Sequence, residues 1–564
     1  MPDKASSTIG NYLAARLEQI GLKHYFAVPG DYNLVLLDEL LSNKNLEMIS
    51  CCNELNAGYA ADGYARATGG PAAVCVTYSV GGLSLSNAIA GAYAEDLPVI
   101  AISGGPNTNS AAEYELLHHT LGKIDYDYMR EVFGRITFES VQITNPFDAP
   151  TQIDDAISKA LRHRKPVYIE VASNIARSPI SPPCKMTFAT RKTSDPQSLA
   201  AAVEHAARLL NAAAKPVLVA GAQLRSTGAE ASFDALAHAS SYAVAAMPNA
   251  KGFFDEAHPN YMGIYWGSVG SPGCGQIISS ADLGLYAGTT FTDYTTVGHS
   301  ALINPAKMIL ARPDCVIMPD RTYNDVALAE FLEALMPKLR ANDASLIAYR
   351  RIAEERPAPR QGAADDAVTT RTLFDRVQRM LTADSAVIAE TGDSWFNGMQ
   401  LDLPKGSRFE IQMQYGSIGW SVGATLGYAL GQPQRRVIAL IGDGSFQMTA
   451  QEVSTMIRYG LRPIIFLINN GGYTIEVEIH DGPYNVIKNW DYAGLVSVFN
   501  AENGTGLGLK ASTVGELERA IGEAFSHDGP VLIEVAIDRD DCSKNLLEWG
   551  AYVAKNNGRP PRTV

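Results

Sequence analysis

The chain has 564 residues, of which 46% are apolar and 19% charged, and its formal net charge is −14. At roughly 150 residues per domain this length predicts three or four domains, each able to bury its own core. The acidic balance argues against a nucleic-acid partner, because binding phosphates requires a basic face.

The start of the chain and its apolar runs argue against export and against a membrane span. Residues 1–10 carry an acid and several hydroxyls but no apolar core, so they do not resemble a signal peptide. The longest apolar runs, such as residues 463–468, are about six to eight residues long, whereas roughly 20 are needed to cross a bilayer. Seven scattered cysteines without CxxC spacing are typical of reduced thiols. We therefore predict a cytoplasmic protein.

Apolar, β-branched runs alternate with helix-like stretches along the whole chain. The runs are continuous rather than alternating, which indicates strands buried on both faces of parallel α/β sheets. Residues 178–197 and 354–366 are rich in turn residues and are predicted to be linkers. We therefore predict three doubly wound α/β domains with parallel sheets: residues 1–190, a Rossmann-like central domain of residues 191–355, and residues 356–564.

The first and third blocks repeat each other at one fixed separation. Gly63-Tyr64-Ala65 recurs as Gly427-Tyr428-Ala429, and PVYIEVA (166–172) recurs as PVLIEVA (530–536). Both pairs are 364 residues apart. Two matches at one separation indicate two copies of one fold joined by a different central domain.

The central block opens with KPVLVAGA (215–222), a predicted strand that enters a glycine turn. That pattern resembles the start of a dinucleotide-binding unit, but the GxGxxG spacing is missing. A structural role without nucleotide is therefore favoured over a nucleotide site.

Polar residues follow the predicted strands of the third block, where open parallel sheets bind their ligands. Asp443 and Asn470 would follow two strands that one helix links, so their side chains can converge. Carboxylate and carboxamide oxygens suit Mg²⁺, and the turn at Gly472 could free a backbone carbonyl as a third ligand. A diphosphate would complete the coordination sphere.

The segment after Asp443 provides a cradle for that diphosphate. A helix is predicted to begin near Ser445, and its N–H groups and dipole would face the phosphates. Gly444 allows the backbone to approach closely. GDGS after one buried strand, with Asn-Asn after another, therefore predicts a magnesium–diphosphate site.

At this point the residues resemble a known family. GDGS (442–445) with NN (469–470) resembles the thiamin-diphosphate signature, and ELNAGYAADGYAR (54–66) resembles the pyrimidine-domain motif of the same enzymes. Further motifs along the whole chain resemble the bacterial pyruvate decarboxylase family: AVPGDYNLVLLDEL (27–40), the His118-His119 pair, AETGDSWFN (389–397), YGSIGWSVGA (415–424) and YTIEVEIHDGPYN (473–485).

The resemblance implies a pyrimidine-binding, a central and a diphosphate-binding domain, with thiamin diphosphate and Mg²⁺ as cofactors. It implies non-oxidative decarboxylation of pyruvate to acetaldehyde and CO2 through a C2 carbanion and an enamine. It further implies an active site between two subunits, hence a dimer at least and usually a tetramer built as a dimer of dimers. No membrane or nucleic-acid partner is expected.

The resemblance also assigns roles to individual residues. Glu54 would pair with the pyrimidine N1′, Ile418 would wedge the bent cofactor, and the carbonyl of Gly416 would accept from its amino group. The acids of the later steps would be Asp31, His118, His119 and Glu476. Further contacts to the cofactor are expected from Thr391, Asp393, Gly444, Ser445 and Ile475, while Tyr294 and Trp395 would narrow the pocket to pyruvate.

Four alternatives remain open at this level. The same cofactor serves carboligases of the acetohydroxyacid synthase type and decarboxylases of larger oxo acids such as indolepyruvate or phenylpyruvate. An oxidoreductase with a nucleotide in the central block is a third, and a scaffold without activity is a fourth. The joint presence of Glu54, Asp443 and Asn470 argues against the scaffold.

Overall fold

The computed structural model describes residues 7–301, 303–353 and 362–560. The chain divides into two compact units. The first unit comprises residues 1–191, 419–433 and 449–462, and the second comprises residues 192–418, 434–448 and 463–564. Short segments of the third block thus belong to the first unit.

The first block forms a six-stranded parallel sheet whose strands are mostly buried. Its strands are β1 (Ser7–Thr8), β2 (His24–Ala27), β3 (Glu47–Ser50), β4 (Ala72–Val76), β5 (Val99–Gly105), β6 (Glu139–Ile143), β7 (Val167–Ala172) and β8 (Pro179–Ile180). Its helices are α1 (Ile9–Gln19), α2 (Leu34–Leu41), α3 (Glu54–Thr68), α4 (Val80–Ala94), α5 (Thr108–Ala112), α6 (Tyr128–Phe133) and α7 (Ala149–His163). The short strands β1 and β8 pair with each other outside this sheet.

The central block forms a seven-stranded sheet. Its strands are β9 (Pro216–Ala220), β10 (Ala243–Ala246), β11 (Tyr261–Ile264), β12 (Leu283–Ala287), β13 (Met308–Ala311), β14 (Cys315–Ile317) and β15 (Thr322–Asn324). Its helices are α8 (Pro196–Ala212), α9 (Gln223–Thr227), α10 (Glu230–Ser240), α11 (Cys274–Ser280), α12 (Leu328–Leu335) and α13 (Ala344–Ile352). The order β11-β10-β9-β12-β13 is the Rossmann order, and the antiparallel strands β14 and β15 extend it at one edge.

The third block forms a second six-stranded parallel sheet. Its strands are β16 (Ser385–Ala389), β17 (Arg408–Glu410), β18 (Arg436–Gly442), β19 (Ile464–Asn469), β20 (Leu507–Ala511) and β21 (Val531–Ala536). Its helices are α14 (Thr370–Met380), α15 (Asp393–Gly398), α16 (Trp420–Gly431), α17 (Asp443–Thr449), α18 (Glu452–Arg458), α19 (Thr474–Ile479), α20 (Tyr492–Asn500), α21 (Val514–Ser526) and α22 (Lys544–Asn557). Helix α17 begins at Asp443, two residues before the predicted start, because the turn follows directly on the last residue of β18.

The internal duplication is visible in the topology. The first sheet has the order β3-β2-β4-β5-β7-β6 and the third has β17-β16-β18-β19-β21-β20. Counted from the first strand of each sheet, both orders are 2-1-3-4-6-5. Strand β7 contains the PVYIEVA copy of the repeated motif and strand β21 contains the PVLIEVA copy. The prediction of three α/β domains with related outer copies is therefore confirmed.

Helices α3 and α16, which carry the other repeated motif, pack against each other within the first unit. The approach is so close that a Cβ at Gly63 would lie 2.2 Å from the carbonyl oxygen of Ala424. Beside this crossing, the fully buried Asp62 accepts from the indole N–H of Trp420 at 2.9 Å and from Arg66 at 2.6 Å. Small residues and one buried polar cluster therefore set the spacing of this helix pair.

The predicted domain boundaries at residues 190 and 355 stay predictions. The first predicted linker contains β8 and the start of α8, with no other helix or strand between them in this described stretch. Residues 354–361 of the second predicted linker lie outside the described residues. Among the helices of the described ranges, none has the length and apolar character needed to cross a bilayer.

Candidate active site

Three oxygen ligands lie together at the carboxyl ends of β18 and β19. These strands are parallel neighbours, with Gly442 paired to Ile468, so the residues that follow them meet at one edge of the sheet. Asp443 is fully buried, and its carboxylate accepts from the backbone N–H of Gly444 at 2.8 Å and of Gly471 at 2.7 Å. Burial raises the pKa of Asp443 to about 6, against the opposing effect of these backbone donors.

The side-chain amide of Asn470 decides whether a cation fits here. Its nitrogen lies 2.6 Å from Thr474 Oγ1, which leaves its oxygen 3.3 Å from Asp443 Oδ1 and 3.1 Å from the carbonyl oxygen of Gly472. Three acceptors facing one another without a donor repel, unless the amide turns over or a cation lies between them. An all-oxygen set of carboxylate, carboxamide and carbonyl is the set that Mg²⁺ prefers, so the residues fit this ion.

Glycines allow the backbone to adopt this arrangement. Gly471 has φ +80°, a left-handed conformation that other residues rarely adopt. A Cβ at Gly472 would lie 2.2 Å from the carbonyl oxygen of Asn485. The Asn-Asn-Gly-Gly sequence is therefore required by the turn that presents the Gly472 carbonyl.

A cavity of about 340 Å³ in the second unit opens beside these oxygens. Nine residues predicted to bind metal, cofactor or substrate line it: Thr391, Asp393, Ile418, Gly444, Ser445, Asn470, Gly472, Ile475 and Glu476. Asp443 lies beneath its wall, between the lining residues Gly442 and Gly444. Gly416, by contrast, is two residues before Ile418 and is not part of the lining.

The lining of the cavity suits a diphosphate. Hydroxyl groups come from Thr391, Ser394, Ser445 and Thr474. A Cβ added at Gly442 would meet no atom within 4 Å, so the backbone there faces open space. Hydroxyls and bare backbone next to an oxygen cluster fit a phosphorylated ligand that shares a cation with the protein.

Asp393, which lines the cavity, is also hydrogen-bonded to Ser543 near the C-terminus. Its two carboxylate oxygens accept from the backbone N–H of Ser543, at 3.0 Å, and from the Ser543 hydroxyl. Burial raises the pKa of Asp393 to about 6. Because Ser543 caps α22, this carboxylate ties the C-terminal helix to the wall of the cavity.

The two predicted pocket residues lie away from the cavity lining. Trp395 is fully buried in the core, and among the described residues its indole N–H has no hydrogen-bond partner. Tyr294 is half-buried, with its ring 6.2 Å from that of Trp395 and 4.9 Å from that of Trp549. Burial, and next the charge of Glu476, raise the pKa of Tyr294, so its hydroxyl is close enough to sense that carboxylate of the lining.

In the first unit, Glu54 opens helix α3. The helix is capped by Asn53, whose side chain accepts from the N–H of Asn56 at 2.9 Å. A Cβ at Gly81 would lie 3.3 Å from a carboxylate oxygen of Glu54, so a side chain there would crowd this carboxylate. The backbone just before α3 is held by the fully buried Glu452, which accepts from the N–H of Cys52 at 2.7 Å.

The remaining predicted acids of the first unit are grouped. His118 Nε2 lies 2.6 Å from Asp31 Oδ2, with side chains 61% and 52% exposed, so solvent or substrate can reach the pair. His119 has φ +65°, and its ring centre lies 4.6 Å from that of His118. The strained backbone at His119 therefore places the imidazoles of two consecutive residues on the same side of the chain. This arrangement could not be predicted from the sequence.

Sequence reasoning missed several residues that support the oxygen cluster and the cavity of the second unit. Glu390 accepts from the N–H of Thr391 at 2.8 Å, and Glu534 accepts from the amide of Asn469 at 2.8 Å. Tyr473 covers Gly444, where a Cβ would lie 2.4 Å from its ring. Only Thr474 could have been found from local sequence. It follows Asn470 by four residues, and such a spacing on a turn brings two side chains together.

Three sequence models of one enzyme group match the chain in order. They are described as the thiamine pyrophosphate enzyme N-terminal TPP binding domain at residues 7–129, its central domain at residues 203–339 and its C-terminal TPP binding domain at residues 390–535. The C-terminal match includes the oxygen cluster and the whole cavity lining.

Whole-chain relatives narrow the family. A probable pyruvate decarboxylase of Schizosaccharomyces pombe is 50% identical over 557 residues, which cover 98% of this chain and 97% of the relative. Pyruvate decarboxylase 1 of Oryza sativa subsp. indica is 50% identical over 568 residues, covering 99% and 93%. This chain belongs to the pyruvate decarboxylase family.

The outer domains of this pyruvate decarboxylase family member are thereby thiamine pyrophosphate-binding domains. The fold agrees with a solved thiamin diphosphate-dependent enzyme from Mycobacterium smegmatis, at a TM-score of 0.76 and 22% identity, covering 94% of this chain and 100% of the other. The relatives named above come from a fungus and a plant, so membership of the family is shown, whereas the bacterial type predicted from the motifs is not.

Proposed function

We propose that this protein decarboxylates pyruvate to acetaldehyde and CO2 with thiamin diphosphate and Mg²⁺. The observation that carries the proposal is the oxygen cluster at the ends of β18 and β19 in a chain 50% identical to pyruvate decarboxylases along nearly its whole length. When bound, thiamin diphosphate supplies a nucleophilic carbon and an electron sink for the carbanion left by CO2.

Asp443, Asn470 and Gly472 would hold Mg²⁺, and the hydroxyl-lined cavity would hold the diphosphate. Ile418 is apolar and lines the same cavity, so it is suited to support an apolar ring. Glu54 would share a proton with the pyrimidine ring of the cofactor. Further cofactor contacts are proposed for Thr391, Asp393, Gly416, Gly444, Ser445 and Ile475.

Proton transfer to carbon and to oxygen requires acids within hydrogen-bond reach. Asp31 and His118 already share a hydrogen bond, so a proton can be held at His118 Nε2. We propose that this pair, His119 and Glu476 supply the protons of the later steps.

The substrate is proposed to be pyruvate rather than a larger oxo acid. Tyr294 and Trp395 pack against each other with ring centres 6.2 Å apart, and their bulk is proposed to leave no room for an aromatic or indole substituent. Since neither lines the cavity directly, their effect on pocket size acts through the packing of neighbouring residues. Carboligation of the acetohydroxyacid synthase type stays the nearest alternative.

The central domain offers no comparable reason to propose a nucleotide. At the switch point between β9 and β12, a Cβ at Gly221 would lie 2.2 Å from the carbonyl oxygen of Gly288. Arg225 forms a largely buried ion pair with Glu410 close to this turn. The backbone of Gly288 therefore packs directly against the turn that a dinucleotide would have to approach.

We also propose that the active site is shared between subunits, in a dimer that pairs into a tetramer. Glu54 and the oxygen cluster belong to different compact units of one chain, which is compatible with contributions from two chains. A cytoplasmic location is supported by seven cysteines that are all free thiols. The bacterial type stays a proposal supported by the motifs quoted from the sequence.

The decisive experiment is a product analysis. The purified full-length protein is incubated with pyruvate and Mg²⁺, with and without thiamin diphosphate, and acetaldehyde and acetolactate are both quantified. We expect acetaldehyde as the main product and only with the cofactor. Acetolactate as the main product would move the chain to the carboligases, and faster turnover of phenylpyruvate or indolepyruvate would overturn the choice of pyruvate.

A further inference from the structure

A buried carboxylate lies behind the segment that carries His118 and His119. Glu170, on β7, is only 1% exposed. Its Oε1 accepts from the amide of Gln142 at 2.8 Å, and its Oε2 accepts from the hydroxyl of Tyr168 at 2.8 Å. Both partners are neutral, and a carboxylate without a directly bonded cation is costly to bury.

Gln142 connects this carboxylate to the chain segment in front of it. Besides Glu170, the amide nitrogen of Gln142 donates to the carbonyl oxygen of Tyr126 at 3.1 Å. The hydroxyl of Tyr126 in turn donates to the carbonyl oxygen of Glu115 and, at 3.4 Å, to that of Ser110. The Gln142 amide therefore ties the buried carboxylate to Tyr126, and the Tyr126 hydroxyl extends the link to Glu115 near the start of residues 113–127.

Residues 113–127, named here the histidine loop, contain no helix or strand and include His118 and His119. Two more tyrosines hold the loop by its backbone: Tyr32 donates to the carbonyl of His118 at 3.3 Å and Tyr128 to that of His119 at 3.2 Å. The apolar side chain of Leu121 is 66% exposed, so burial of the loop contributes little to its position. Hydrogen bonds to backbone carbonyls must then supply most of the free energy that holds the loop in place.

We propose that Glu170 is a positioning residue, which acts through Gln142 to hold the histidine loop where His118 meets Asp31. The proposal rests on the proposed function, in which His118 and His119 deliver protons. Glu170 itself touches neither histidine and no residue of the cavity. Its contribution is to orient the Gln142 side chain. Because a carboxylate can only accept hydrogen bonds, the N–H group of the amide, and not its oxygen, must point towards Glu170.

The charge state of Glu170 links this contact to pH. Burial raises the pKa of Glu170 to about 7, although Gln142 and Tyr168 act in the opposite direction. Above that value the carboxylate is charged, and a charge-assisted hydrogen bond is roughly twice as strong as a neutral one. Four titratable groups face Glu170: Tyr168 from its own strand, Tyr78 from the segment before α4, Asp127 from the residue before α6, and Arg130 from α6.

The kinetic test compares Glu170→Gln, which fixes a neutral side chain, with Gln142→Leu, which removes the link. The matched control is Glu139→Gln on the neighbouring strand, where a partly exposed carboxylate binds Lys159. For the wild type with thiamin diphosphate and Mg²⁺ we expect kcat to rise as pH passes about 7. Both test variants should lose this rise and lower kcat at pH 8 by about 3- to 10-fold with a smaller change in KM, whereas the control keeps the wild-type profile.

A second measurement is independent of turnover. Hydrogen exchange of residues 113–127 in the substrate-free proteins should be faster in Glu170→Gln and Gln142→Leu than in the wild type and the control. Wild-type exchange together with an unchanged pH profile in Glu170→Gln would overturn the proposal, as would a lowered Tm with an unchanged profile. If no protein forms acetaldehyde, the proposed function fails, while the exchange comparison still decides whether Glu170 positions the loop.

Discussion

Gly63 and Ala424 meet where helices α3 and α16 cross. A second contact, between Gly427 and Ala60, is made by the corresponding residues of the internal repeat. A Cβ at Gly63 would lie 2.2 Å from the carbonyl oxygen of Ala424, and a Cβ at Gly427 would lie 1.7 Å from that of Ala60. Residues 63 and 427 are 364 apart, as are residues 60 and 424. Helices α3 and α16 therefore contact each other through equivalent residues, as the surfaces of a symmetric dimer do.

Replacing a glycine at this crossing should destabilise the protein. Gly63→Ala places a methyl group on the backbone of α16, and overpacking of this kind costs about 2–3 kcal/mol. Thermal and denaturant unfolding measure the loss. Gly522→Ala is the matched control, because Gly522 is exposed in helix α21 and a Cβ there meets no atom within 4 Å. That control should be neutral or stabilise by up to about 1 kcal/mol, and an equal effect of both changes would disprove the close crossing.

Glu54→Gln should abolish turnover and spare the fold. Gln keeps the size of Glu but cannot share a proton with the cofactor in the same way, so we expect kcat to fall by at least about 100-fold. Steady-state kinetics and Tm are measured together, with Glu47→Gln on the exposed end of β3 as a control that keeps wild-type kinetics. Unchanged turnover in Glu54→Gln would refute its role in proton transfer.

Mixing two inactive variants tests whether the site is shared between subunits. If Glu54 of one chain acts with Asp443 of another, a hybrid of Glu54→Gln and Asp443→Ala contains one intact site out of two. Random exchange of subunits in dimers should then restore about a quarter of the wild-type activity. The measurement is acetaldehyde formation after the variants are unfolded and refolded together, with each variant alone as the control. No recovery in a mixture shown to contain hybrids would indicate a site within one chain.

A pair of histidines in the central domain should make stability fall in mild acid. His258 Nε2 contacts His238 Nδ1, and His258 Nδ1 accepts from the N–H of Asn260 at 3.1 Å. Burial and next the neighbouring His238 lower the pKa of His258 below its usual 6.5. The unfolded chain thus binds a proton more readily, so stability is highest above pH 6.5 and falls as pH drops through the folded pKa.

His258→Gln removes this proton-linked effect. The difference in Tm between the wild type and this variant should therefore be largest near pH 7.5 and shrink towards pH 5 (values chosen to bracket the ordinary histidine pKa of about 6.5). His527→Gln, at a partly exposed histidine, serves as the control and should follow the wild type at every pH. A constant difference across this pH range for His258→Gln would contradict the assignment.

Trp395→Ala should act on stability before it acts on substrate choice. The indole is fully buried, so truncation leaves a large hole that costs about 3–5 kcal/mol. Chemical unfolding and the pyruvate-to-phenylpyruvate rate ratio are measured on the same preparation. Trp490→Ala, at a partly exposed tryptophan, is the control with a smaller loss. A stable Trp395→Ala protein would show that this residue is not part of the core.

Much of the fold could be predicted from local patterns. Continuous apolar runs are diagnostic of strands covered on both faces, and a fixed separation of 364 residues between repeated motifs requires two similar copies. Asp443 and Asn470 could be paired because parallel strands that are joined by one helix end at the same sheet edge. Roles for Glu54 and His118 came from the resemblance to a family and not from their spacing.

The sequence by itself determined which residues end up at strand ends, because side-chain chemistry and the period of hydrophobicity are local properties. Only the tertiary structure decided which distant groups meet. Ser543 holds Asp393 across 150 residues of chain, Trp395 lies in the core instead of the cavity, and Glu170 reaches the histidine loop through Gln142. Such contacts depend on how helices and sheets pack, and packing is set by the sum of many weak interactions that no short segment encodes.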